Sequence, residues 1–87
     1  MTPTWATQVF SKEFDAALSK IPTAVQSLIA DKITEMGRRL DSFPHYRMTG
    51  RTECRLRIGD YRVIYEFESA RGIIYLITLG HRREVYR

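Results

Sequence analysis

The chain has 87 residues, 44% hydrophobic and 28% charged; this allows one small domain of two packed layers and excludes a disordered or collagen-like protein. Its formal charge of +4 favours a polyanionic or acidic partner. A lone cysteine, Cys54, excludes an intramolecular disulfide and a cysteine-based zinc site; no apolar run reaches the length of a membrane span, and the N-terminus has neither the basic nor the apolar region of a secretory signal, so a cytoplasmic location is expected.

In chain order, Trp5, Thr7 and Val9 alternate within Thr4 to Phe10, which predicts a first strand. Pro3 suits its start or an edge position. Ser11 has the side chain of a helix N-cap, and Phe14, Ala17 and Leu18 make a short amphipathic helix reaching about Lys20. Pro22 suits the first turn of a second helix, where its missing N–H costs nothing. There Val25, Leu28, Ile29, Ile33, Met36 and Leu40 form an apolar stripe. Gly37 weakens that helix by ~1 kcal/mol against alanine. Phe43-Pro44 ends it, because the residue before proline avoids helical backbone. His45 to Thr52 reads as a basic loop carrying His45, Arg47 and Arg51, with Gly50 at a turn.

Cys54 to Phe67 then holds two alternating runs around Gly59-Asp60. Glycine at the first position of a two-residue loop is what a type II′ hairpin requires. Closing it on Ile58 and Tyr61 fixes the register, because side chains alternate with period two. Cys54, Leu56, Ile58, Tyr61, Val63, Tyr65 and Phe67 then share an apolar face. Arg55, Arg57 and Arg62 occupy the other, beside Ile64 and Glu66, with Arg57 opposite Arg62. Like charges so opposed are unfavourable by roughly 0.2–1 kcal/mol, whereas an anion on that face turns their repulsion into binding. Glu68 to Gly72 is a turn, and Ile73 to Leu79 is an apolar run suited to an interior strand. Gly80 breaks it, and the tail is His81-Arg82-Arg83-Glu84-Val85-Tyr86-Arg87.

The order implies one α+β domain over residues 1–87. Its antiparallel-rich sheet has an N-terminal strand and three consecutive C-terminal strands, with a helical hairpin on one face and the other face partly open. Arg55, Arg57 and Arg62, joined by His81, Arg82, Arg83 and Tyr86 from the tail, are the candidates for chemistry. Guanidinium groups grip phosphate bidentately, and a tyrosine or histidine beside them stacks on a base or moves a proton. The alternative is a solvated basic face. His45 and His81 have no neighbours at metal-ligand spacing, and no metal or cofactor is expected.

Arg55-Leu-Arg-Ile-Gly-Asp-Tyr-Arg-Val-Ile-Tyr-Glu66, followed by Gly80-His-Arg-Arg-Glu-Val-Tyr86, resembles the RelE/ParE superfamily of type II toxins. The likeness extends over nearly the whole chain and favours the RelE-like branch. It implies a RelE-like fold and ribosome-dependent, metal-independent cleavage of messenger RNA, in which a ribose 2′-hydroxyl attacks the adjacent phosphate. On this resemblance Arg62, Arg82 and Tyr86 fall on catalytic positions, with His81 a candidate to share proton transfer. Arg55, Arg57, Arg83 and Arg51 are candidates to bind RNA. Glu53 stands where such toxins carry a basic residue. The resemblance also implies a cognate antitoxin, the ribosome and mRNA as partners, a higher-order toxin–antitoxin complex on operator DNA, and no membrane. The other readings are a ParE-like inhibitor of DNA gyrase and a degenerate toxin that only binds its antitoxin.

Overall fold

The structure, a computed structural model, describes residues 5–81. A mixed sheet of five strands carries two helices on one face. The elements are β1 (Thr7–Phe10), α1 (Lys12–Leu18), α2 (Thr23–Arg38), β2 (Tyr46–Arg47), β3 (Cys54–Ile58), β4 (Tyr61–Glu68) and β5 (Ile73–His81). Across the sheet the order is β1-β5-β4-β3-β2, with β1 parallel to β5 and the other pairs antiparallel. This is the predicted α+β architecture with one addition, the two-residue β2 inside the expected basic loop.

The hairpin forms as its sequence dictates. Gly59 has φ +60° while Asp60, like every non-glycine among the described residues, has none in the positive region, which is the type II′ pattern. Ile58 pairs with Tyr61 and Arg57 with Arg62. The core lies between sheet and helices: Phe14, Ile29, Ile33 and Met36 from the helices meet Cys54, Leu56, Val63, Tyr65, Ile74 and Leu76.

Three polar devices hold the layers in register. Ser11 Oγ accepts from the Phe14 N–H at 2.9 Å, capping α1, and donates to the Ile77 carbonyl at 2.6 Å, tying the helix to β5. Gln26 Nε2 donates to the Leu18 and Ile21 carbonyls at 2.9 Å each, tying α2 to the turn where α1 ends; the Leu18 carbonyl also accepts the Ile21 N–H. His45 Nε2 lies 2.7 Å from the Leu40 carbonyl, which only accepts, so Nε2 carries the proton. Nδ1 is then the acceptor of a hydrogen bond donated by the Tyr65 hydroxyl, at 2.6 Å. The imidazole also stacks on Phe67, centroids 3.8 Å apart. His45 is thus a structural residue beneath the loop.

Other expectations are corrected. The first strand begins at Thr7, and Thr4 falls outside the described residues. Pro22 is the N-cap of α2, one position before its first turn. Leu28 is 56% exposed, whereas Leu40 is buried beyond the helix end.

Candidate functional site

β3 and β4 build a row of guanidinium groups on the sheet face away from the helices. Alternation in β3 buries Cys54, Leu56 and Ile58 and exposes Arg55 and Arg57. Register then sets Arg57 against Arg62 and Arg55 against Ile64. Arg62 behaves unlike its neighbours: it is 8% exposed, and its Nη1 donates to the carbonyls of Gly59 and Tyr61 at 3.2 Å each. The hairpin turn therefore orients this guanidinium and holds it at the sheet surface.

Beside this row is an open cleft of about 470 Å³. Ile64, Thr78 and Gly80 line its floor, and Arg51 and Glu53 line its wall. Gly80 pairs with Arg62, so the cleft begins next to that arginine. Arg51 is brought here by the β2–β3 turn, where the Met48 N–H donates to the Glu53 carbonyl at 3.0 Å. Glu53 is half-buried, and among the described residues its carboxylate has no hydrogen-bond or ion-pair partner. The arrangement suits an extended phosphodiester: cations that hold the backbone, a shallow apolar floor, and two carboxylates able to accept a proton, the exposed Glu13 of α1 and the half-buried Glu53.

His81 is not part of this group. It pairs with Tyr61, whose ring it meets edge-on at 5.9 Å, and it lines a separate cleft with Ala17, Lys20 and Ile21 on the helix side. The reason is a β-bulge in β5: Ile64 pairs with Thr78 but Tyr65 with Leu76, leaving Ile77 as an extra residue. The bulge places both Leu76 and Leu79 in the core and carries His81 to the same side. Counting by twes from Leu76 without it would put His81 among the arginines. Arg82, Arg83 and Tyr86 lie outside the described residues.

Sequence reasoning passed over Tyr46, which is 66% exposed and pairs with Arg55 at the start of β2. The available signal was an aromatic residue inside a basic segment.

A two-layer domain of this size, with this strand order and a cationic open face, has the fold of RelE toxins. It superposes on a mutant of the E. coli toxin RelE in the free state with TM-score 0.76 at 15% identity, covering 94% of this chain and 90% of that one. The toxin–antitoxin complex RelBE2 from Mycobacterium tuberculosis gives TM-score 0.72 at 18% identity, with coverage of 93% and 95%. The RelE–RelB complex from Pyrococcus horikoshii gives 0.71 at 24%, with coverage of 88% and 94%. No curated protein matches significantly. Residues 9–86 match the family described as the ParE toxin of type II toxin–antitoxin systems, parDE, and the chain belongs to that family. Among the described residues no helix is long and apolar enough to cross a membrane.

Proposed function

We propose that this toxin is a ribosome-dependent endoribonuclease that cuts messenger RNA and is held inactive by a cognate antitoxin. The observation that carries the reading is the convergence of Arg55, Arg57 and Arg62 on one sheet face, with Arg57 and Arg62 directly opposed beside an open cleft. A scissile phosphate between guanidiniums offsets their repulsion, and the attraction grows as charge develops on the phosphorane. A guanidinium has five N–H donors, enough for Arg62 to serve turn carbonyls and a phosphate together.

In the reaction the 2′-oxygen bonds to phosphorus as the bond to the 5′-oxygen breaks, leaving a 2′,3′-cyclic phosphate and a 5′-hydroxyl. The 2′-proton goes to a base and another proton reaches the departing 5′-oxygen. With His81 on the opposite face, Glu53 is the base of this proposal: of the two carboxylates in the cleft it is the half-buried one, two residues before Arg55, whereas Glu13 is exposed on α1. Arg82 and Tyr86, assigned by resemblance, complete it as phosphate ligand and proton donor or stacking ring. RelB in the Mycobacterium and Pyrococcus relatives motivates the antitoxin assignment.

The test is induction in cells followed by primer extension on a reporter message. Cuts within codons, lost in Arg62→Ala and Arg82→Ala variants that still fold, are the expected result. The ParE description of the family motivates the second reading, poisoning of DNA gyrase; DNA breaks and an SOS response with intact message would establish it instead.

A further inference from the structure

A second feature lies at the free edge of β3. β2 pairs with β3 only through Tyr46–Arg55 and Arg47–Cys54. One residue earlier the chain leaves the sheet, because His45 is bonded inward to the Leu40 carbonyl and the Tyr65 hydroxyl. Pro44, without an N–H, cannot extend the ladder. The departure opens a slot of about 350 Å³ walled by Phe43, Pro44, Leu56 and the exposed Tyr46. That volume falls within the roughly 300–1,000 Å³ of small-ligand pockets. Lys32, Arg55 and Arg57 complete its lining.

An apolar slot with a solvent-facing aromatic ring and three cations matches a nucleobase flanked by its phosphates. An extended peptide strand on the same edge would use the backbone of β3 and would have no particular need for the ring. We propose that the Tyr46 slot is a base-binding subsite for single-stranded RNA: one unstacked base lies against Tyr46, and Lys32, Arg55 and Arg57 hold the adjoining phosphates.

Strand spacing of about 4.8 Å and rise of about 3.4 Å per residue put the Tyr46 backbone roughly 12 Å from that of Arg62, two strands across and two residues along. A single RNA strand bridges the two along the Arg55–Arg57 row, so the slot selects which base lies near the cut. The assignment of RNA as ligand rests on the nuclease reading above.

The experiment uses a short 5′-fluorescein-labelled 2′-O-methyl oligoribonucleotide, which lacks the attacking hydroxyl, and reads fluorescence anisotropy at about 50 mM salt, where phosphate contacts are strong. Tyr46→Ala is expected to weaken binding roughly 5- to 150-fold, the range for losing one base–aromatic stack, while Tyr46→Phe binds like the parent. Scanning an abasic nucleotide along the probe is expected to find one position that weakens the parent equally and leaves Tyr46→Ala unchanged. Several outcomes would overturn the subsite: an unbound intact probe, full affinity in Tyr46→Ala, or a loss additive with every abasic position, as when the ring serves a protein partner. Circular dichroism of each variant confirms folding. Because the probe is uncleavable, an absence of message cleavage in cells removes the nuclease reading without touching this measurement.

Discussion

Arg57 and Arg62 face each other across the β3–β4 ladder, the first exposed and the second only 8% exposed. Opposed like charges cost roughly 0.2–1 kcal/mol, so Arg57→Gln is expected to raise the unfolding free energy by about that amount in low-salt urea titrations. The same variant is expected to lose toxicity. Stabilisation without loss of toxicity would show that the pair serves no anion.

Glu53 is the position at which the proposed nuclease and a degenerate toxin give different outcomes. As the base it makes Glu53→Gln slower in message cleavage by ~100-fold or more, the usual worth of general-base catalysis, with Glu53→Asp intermediate. Glu53→Lys, which restores the basic residue of RelE-like toxins, then also lowers activity. A gain of activity in Glu53→Lys would identify the glutamate as the defect. Primer extension on ribosomes programmed with one message ranks all three.

The Tyr65 phenol makes stability sensitive to alkali. Burial, with Cys54 beside it, raises its pKa well above the ordinary 10. Unfolded chain releases that proton near pH 10 while folded chain keeps it, so the unfolded state binds fewer protons and stability falls as pH rises above 10. The slope approaches ~1.4 kcal/mol per pH unit. Urea titrations at pH 8 and 10.5 should show a shallower decline for Tyr65→Phe. At pH 8 that variant is expected to lose about 1–3 kcal/mol, because His45 Nδ1 is left without its donor. Tyr75, raised chiefly by its hydrogen bond to Glu68, is common to both chains and drops out of the comparison.

Gly37 is buried in α2 next to β1, where the Ala6 N–H donates to its carbonyl at 3.1 Å. A Cβ there would meet the Ala6 Cβ at 3.6 Å, an ordinary contact. Gly37→Ala is therefore expected to gain about 0.4–1 kcal/mol of stability from helix propensity and a less flexible unfolded chain. A loss in denaturant titration would mean that β1 cannot yield even that little.

The central hairpin was legible because period-two alternation and one glycine together determine its register. The apolar stripe gave α2 for the same kind of reason, although Leu28 shows that a stripe can be wider than the surface it covers. β2 was not legible, since two residues carry no periodicity. Nor was the parallel pairing of β1 with β5, which depends on contacts far apart in sequence. The arginine face followed directly from the hairpin. The face of His81 did not, because a continuous apolar run conceals a bulge: Ile74, Leu76 and Leu79 are spaced by two and then three, and every neighbouring position is also apolar or small.

Ile77 therefore acts as a half-turn inserted near the end of the chain. Were Ile77 instead taken into the ladder opposite Ile64, Thr78 and Gly80 would turn inward and Leu79 and His81 outward, with the β4 pairing at Leu76 kept. The sheet would lose Leu79 from its interior and present it to solvent beside Arg62. One unpaired amino acid, tethered through its carbonyl to Ser11, thus sets the side on which Leu79 and His81 lie.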